Sequence, residues 1–201
     1  MPFWSTNFGN TEELLKDPKR NFRFYINIQG ISTENGGAML WYAKQVAKPT
    51  FTLAEATHEY LNHTYYYPGK ITWNAIEITM VDPGGDPDVV ATLAGILVGA
   101  GYNLPDTPDS EKLTSMSKQK AAGALGQVKI TQVDAEGQMV EEWTLWNAFA
   151  TEVDFGGTLA YGNDELTEVK LKLRYDWAEL NTATEGSAVA NVDSKFFDIS
   201  R

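Results

Sequence analysis

Both histidines of the chain fall within six residues, His58-Glu59-Tyr60-Leu61-Asn62-His63, inside the stretch EATHEYLNHTYYYPGK (55–70). The string is one residue longer than the HExxH box, which binds zinc because positions i and i+4 share a helix face. An i, i+5 pair stands about 140° apart on a helix, and along one strand an odd offset points to opposite faces. The chain has no cysteine to complete a site. The residues therefore read as polar members of a mixed aromatic loop. Asp82, Asp86 and Asp88 in DPGGDPD could hold calcium, but their spacing is not that of an EF-hand, and Asp86 is better explained as a helix cap. Glu141 and Glu142 are neighbours, and on a strand neighbours face apart, which is poor geometry for an acid/base pair. The chain has no G-x-S-x-G elbow and no phosphate-cradling loop. No catalytic residue, metal or cofactor is expected. One reading of another class stays open, a metal-dependent hydrolase on a β-sandwich using His58 and His63.

The elements that must carry these residues are mostly strands. Phe22, Phe24, Ile26 and Ile28 alternate with polar residues, the pattern of a half-buried strand. A second strand is expected over 38–46. In 71–81 the apolar residues change phase at Ala75–Ile76, which predicts a bulge or bend. Asp86-Pro87 opens a helix over 87–100, with Val89, Leu93, Ile96, Leu97 and Ala100 on its apolar face and Gly99 and Gly101 ending it. A weaker helix is expected over 110–124. A hairpin follows, with strands over 127–134 and 138–149 and a turn at 135–137. The cleanest strand, 167–177, sets Val169, Leu171, Leu173, Tyr175 and Trp177 against Lys170, Lys172, Arg174 and Asp176. Strands, then two helices, then strands imply a mostly β, α+β fold, a β-sandwich or half-barrel of long antiparallel strands.

Bulk properties narrow the function. A chain of 201 residues that is 43% hydrophobic can bury one core. A protein that grips nucleic acid normally carries a basic patch; with a net charge of −11, from 16 basic and 27 acidic residues, this chain would on average repel DNA. MPFWSTNFGN does not read as a signal peptide, and VVATLAGILVGAGY is too short to span a bilayer, so a soluble, non-secreted chain without membrane contact is expected. Tyr60, Tyr65, Tyr66 and Tyr67 fit a protein interface, where tyrosine buries area at low entropic cost, or equally a tyrosine-rich core hairpin. Lys170, Lys172 and Arg174 could be a ligand stripe, but a solvated or subunit-contacting strand face fits better.

Four long strings, DPKRNFRFYINI (17–28), AKPTFTLAEATHEYLNHTYYYPGKITWNAIEITMVDP (47–83), KQKAAGALGQVKITQVDAEGQMVEEWTLWNAF (118–149) and DELTEVKLKLRYDWAEL (164–180), resemble the tail tube proteins of contractile-tailed bacteriophages. The resemblance implies a structural virion protein rather than an enzyme. Its strands would join those of other copies into the inner β-barrel of a hexameric ring. Rings would stack into a rigid hollow tube inside a contractile sheath, with baseplate and tail terminator proteins as partners. Genomic DNA would pass through the lumen without specific binding. Assembly would occur in the host cytoplasm. The layout implied is an N-terminal arm (1–16), a single tail-tube domain (17–180) and a C-terminal tail (181–201). The segment from Glu55 to Lys70 would be the family's extended hairpin or loop, reaching the neighbouring subunit or the next ring. Glu55, His58, Glu59, Tyr60, Asn62, His63, Tyr65, Tyr66 and Tyr67 would be its packing and hydrogen-bonding groups. Lys170, Lys172 and Arg174 would lie on an outer or subunit-contacting face. A close alternative is the inner tube of a related contractile injection system, whose lumen carries protein cargo.

Overall fold

The computed structural model describes residues 18–31, 42–85, 88–103, 115–162, 164–182 and 195–196. In chain order its first strands are β1 (Phe24–Ile28), β2 (Ala43–Val46), β3 (Phe51–Tyr60), β4 (His63–Trp73) and β5 (Ile76–Val81). Helices α1 (Val89–Gly99) and α2 (Lys118–Leu125) come next. The last strands are β6 (Val128–Val133), β7 (Met139–Trp146), β8 (Phe149–Asp154), β9 (Glu168–Arg174), β10 (Trp177–Thr182) and β11 (Lys195–Phe196). They form a five-stranded sheet, β1-β6-β7-β10-β11, a four-stranded sheet, β2-β5-β9-β8, and a separate two-stranded ribbon, β3-β4. Every pairing is antiparallel. The mostly β, α+β fold expected from the pattern is the one observed.

The period-2 pattern builds one core from two sheets. Ile26, Ile28, Val128, Ile130, Leu145 and Ala178 of the larger sheet share a cluster with Ile76, Ile78, Met80, Val169, Leu171 and Leu173 of the smaller. Val89, Leu93 and Ile96 of α1 and Leu125 of α2 join it, with α2 packed on β8. Each fully buried aliphatic side chain here is worth about 1.5–3 kcal/mol relative to exposure.

Several expected boundaries shift, each for a local reason. The phase change at Ala75–Ile76 is a change of sheet: β4 ends at Trp73, and β5 starts at Ile76 in the four-stranded sheet. The strand expected over 138–149 splits likewise at Asn147, whose φ of 54° is left-handed, so that β7 and β8 serve different sheets. The strand expected over 167–177 also divides. Val169, Leu171, Leu173 and Tyr175 are buried as expected, but Trp177 opens β10 and stacks on Trp146 with centroids 6.1 Å apart. The cap of α1 is Asp88, whose Oδ1 accepts the Ala91 N–H at 3.0 Å; Asp86 and Pro87 lie outside the described residues. Leu97, expected on the buried face of that helix, is exposed. Helix α2 begins at Lys118, where Ser117 caps it by accepting the Lys120 N–H at 3.2 Å; residues 110–114 of the expected helix lie outside the described set. The strand expected over 38–46 is seen from Ala43, Tyr42 before it being a turn residue; 38–41 lie outside the described residues. Of the expected tail, Asn181 and Thr182 continue β10, and Lys195–Phe196 pairs back onto Asn181 and Leu180.

Candidate functional site

The stretch that reads from its residues as a loop, and from the resemblance as an extended hairpin or loop, is an antiparallel hairpin of ten and eleven residues. Its two strands are joined by Leu61 and Asn62 alone, with Tyr60 paired to His63. Leu61, at φ 53°, takes the left-handed conformation that two-residue turns require of their first residue. Pro68 faces Glu55 and Ile71 faces Leu53, so an extra residue bulges from β4. Gly69 sits in that bulge because a Cβ there would lie 2.9 Å from the Ala54 carbonyl oxygen.

Every residue of β3, and every residue of β4 except Trp73, is exposed. Phe51, Leu53, Tyr66, Tyr67 and Ile71 each leave about half or more of their surface in solvent. A two-stranded ribbon without a covering layer is marginal by itself, so its base is braced. Phe51 meets Trp73 edge-on at 5.4 Å, and Trp73 lies 6.0 Å from the buried Tyr175. Burial pushes the Tyr175 phenol up to about 12. Asn74 donates its backbone N–H to the Thr50 carbonyl at 2.9 Å and its side-chain amide to the Thr50 hydroxyl at 3.0 Å.

The turn corrects one geometric expectation. Along an uninterrupted strand His58 and His63 would point apart, but the hairpin reverses direction between them. His58 faces Tyr65 and Tyr60 faces His63, so all four side chains project from one face. Ala56 and Tyr67 share it. Glu55, Thr57, Glu59, Thr64, Tyr66 and Pro68 occupy the other, and Asn62 is in the turn. The structure thus brings the expected hairpin residues together on one projection but divides them between two faces. Among the described residues no three His, Cys, Asp or Glu side chains group as metal ligands.

A second cluster, at the foot of the hairpin, escapes the sequence reading. Lys48, just before β3, donates to Glu141 Oε1 and to Gln132 Oε1, each at 2.8 Å. Lys19 also pairs with Glu141, and the Trp143 indole donates to it at 2.5 Å. Gln132 passes its own amide hydrogen to the Arg20 carbonyl at 3.0 Å. Burial alone pushes the Glu141 carboxyl up, but the Lys19 and Lys48 ammonium groups and the Trp143 N–H outweigh it and hold it at about 2. The available signal was phase: Glu141 alternates with Trp143 and Leu145 on the core side of β7, while Glu142 faces away and pairs with Lys129 at 3.0 Å. The two carboxylates do diverge, as their adjacency predicts.

Lys170, Lys172 and Arg174 lie exposed on the outer face of the four-stranded sheet. They form part of a mixed-charge ladder rather than a cationic stripe. Lys172 pairs with Glu152 at 3.2 Å, Glu77 stands opposite Lys172 on β5, and Asp154 stands opposite Lys170 on β8. Beside this ladder, the 155–167 connection encloses an open groove of about 780 Å³ that Lys44, Asp154, Tyr161, Glu165 and Lys170 help to line. Among the described residues no helix is long and apolar enough to cross a membrane.

The sequence matches no protein-family model and no curated protein. The fold does have solved counterparts. The chain is similar to a component of the six-fold symmetrised baseplate of the anti-feeding prophage, at 16% identity, covering 84% of this chain and 98% of that one with a TM-score of 0.57. It is similar to a chain of the cap that terminates the anti-feeding prophage tube, at 13% identity over 84% and 94% with a TM-score of 0.58. A chain of the sheath/tube terminator of the extracellular contractile injection system PVC, in its extended state, aligns at 12% identity over 84% and 99% with a TM-score of 0.58. What this chain shares with all three is the fold.

Proposed function

We propose that the chain is a structural tube subunit of a contractile tail. Copies close into hexameric rings, rings stack into a hollow tube within a sheath, and genomic DNA passes through the lumen of a bacteriophage tail. The observation that carries this reading is the braced hairpin, a projection whose apolar and aromatic side chains stand exposed on both faces among the described residues and would gain cover from other copies. The outer strands of the four-stranded sheet, β2 and β8, each pair on one side only among the described residues. Unpaired edges invite strand addition, and a head-to-tail ring closes such edges against one another. Similar folds occur in baseplate, tube-cap and sheath/tube terminator assemblies, which supports tube, sheath, baseplate and terminator partners and a place in an extracellular particle. Nothing in this role calls for catalysis or a cofactor.

The same neighbours favour a second reading, a tube or tube-terminating subunit of an injection system whose lumen carries protein cargo. Negative-stain microscopy of concentrated protein, alone and with a baseplate or tail fraction, tests both readings. Six-fold rings or hollow rods are expected; a species that stays small with the nucleating fraction present contradicts both. Nuclease-protected DNA inside tails reconstituted with the chain would select the bacteriophage tail over the injection system.

A further inference from the structure

The two faces of the hairpin differ in charge. Between the bulge and the turn, one face carries Ala56, His58, Tyr60, His63, Tyr65 and Tyr67 and no carboxylate. Both acidic residues of that segment, Glu55 and Glu59, stand on the opposite face, and Lys70 lies back in the bulge. His58 and His63 occupy diagonal positions across the ladder, a spacing of about 7–8 Å, and the His63 ring is 6.5 Å from that of Tyr65. Among the described residues, the titratable side chains that share this face with each imidazole are the other imidazole and the neighbouring phenols. Copies that each carry a net charge of −11 repel one another. A face that holds no carboxylate, lysine or arginine and is rich in tyrosine is where a second copy can approach with least repulsion.

Resting on the reading of the hairpin as the joint between copies, we propose that the face bearing His58 and His63 beds against a second copy with both imidazoles uncharged, so that the joint opens in mild acid. Desolvation disfavours the charged imidazole, and two imidazolium groups side by side repel. Each histidine is thus harder to protonate in the joint than in the free chain. Association is then complete above the imidazole range and weakens as pH falls through it. Carboxylates titrate lower, so the window between pH 5.5 and 7.5 belongs to the imidazoles.

The test is the critical concentration for assembly of the full chain, measured by sedimentation at pH 7.5 and 5.5. The wild-type value should rise at least about tenfold across that interval, by less for His58→Gln or His63→Gln alone, and hardly at all for the double variant. Glu59→Gln, on the other face, should keep the wild-type dependence. Proton release by the wild type covers a double variant that fails to assemble: calorimetry at pH 6 in buffers of differing ionisation heat should show protons leaving each copy on assembly. Assembly without proton release, or a pH response lost in Glu59→Gln, overturns the proposal and leaves the tube reading intact. Failure of the wild type to assemble at pH 7.5 with a nucleating tail fraction overturns both.

Discussion

Glu141 shows how a single residue can hold a projection in place. Its carboxylate gathers Lys19, Lys48 and Trp143, and through Lys48 it ties the chain entering the hairpin to the five-stranded sheet. Both lysines are about half exposed, which weakens each pair relative to a buried one. Glu141→Ala should therefore cost about 1–3 kcal/mol, below the cost of breaking a fully buried ion pair. The folded-state value of about 2 lies below the ordinary 4.5, so this stabilisation is fully present above about pH 4.5 and is lost as pH falls toward 2. Urea midpoints taken between pH 2 and 7 should converge for wild type and Glu141→Gln at the acid end; a constant gap would show that the carboxylate's charge contributes nothing. In the sequence Glu141 looked like half of a weak acid/base pair. Its real partners, Lys19 and Lys48, are 122 and 93 positions away, and no local pattern reports contacts so remote.

Among the elements, strands with one buried face were legible from periodicity, whereas the hairpin was marked only by the resemblance. Val169, Leu171 and Leu173 announce β9 because alternation with charge can bury only one face. In β3 and β4 both faces are exposed, so periodicity has nothing to mark, and the turn uses Leu61-Asn62 in place of the Asn-Gly or Asp-Gly that signals a tight reversal. The same turn reversed the expected relation of the two histidines. Boundaries slipped where the chain changes sheets, at Asn74–Ala75 and Asn147, because apolar residues continue on both sides of the crossing. An exposed ladder with no covering layer should open easily. Amides of 55–66 should exchange within seconds to minutes in the free chain and become protected by at least about 100-fold in the assembled form. Equal protection in both states would show that the hairpin is not what assembly covers.

At the scale of the whole molecule, the fold and the net charge pull in opposite directions. Sheet edges that are open among the described residues and an exposed aromatic-rich hairpin favour association, whereas −11 per copy opposes it. The Debye length shrinks from about 10 Å at 0.1 M salt to about 3 Å at 1 M. Assembly at neutral pH should accordingly strengthen with salt, seen as a falling critical concentration; a rise would mean that ion pairs between copies dominate. The central claim is that the hairpin joins copies into a tube, and a variant in which an Asn-Gly turn replaces His58–Tyr65 isolates it. That change removes no buried side chain, so the melting temperature should move by no more than about 2 °C. The most direct measurement is electron microscopy of wild type and this variant side by side at equal concentration, each with the same nucleating tail fraction. The account predicts hollow rods from the wild type and folded, unassembled protein from the variant; rods of equal length from both would contradict it.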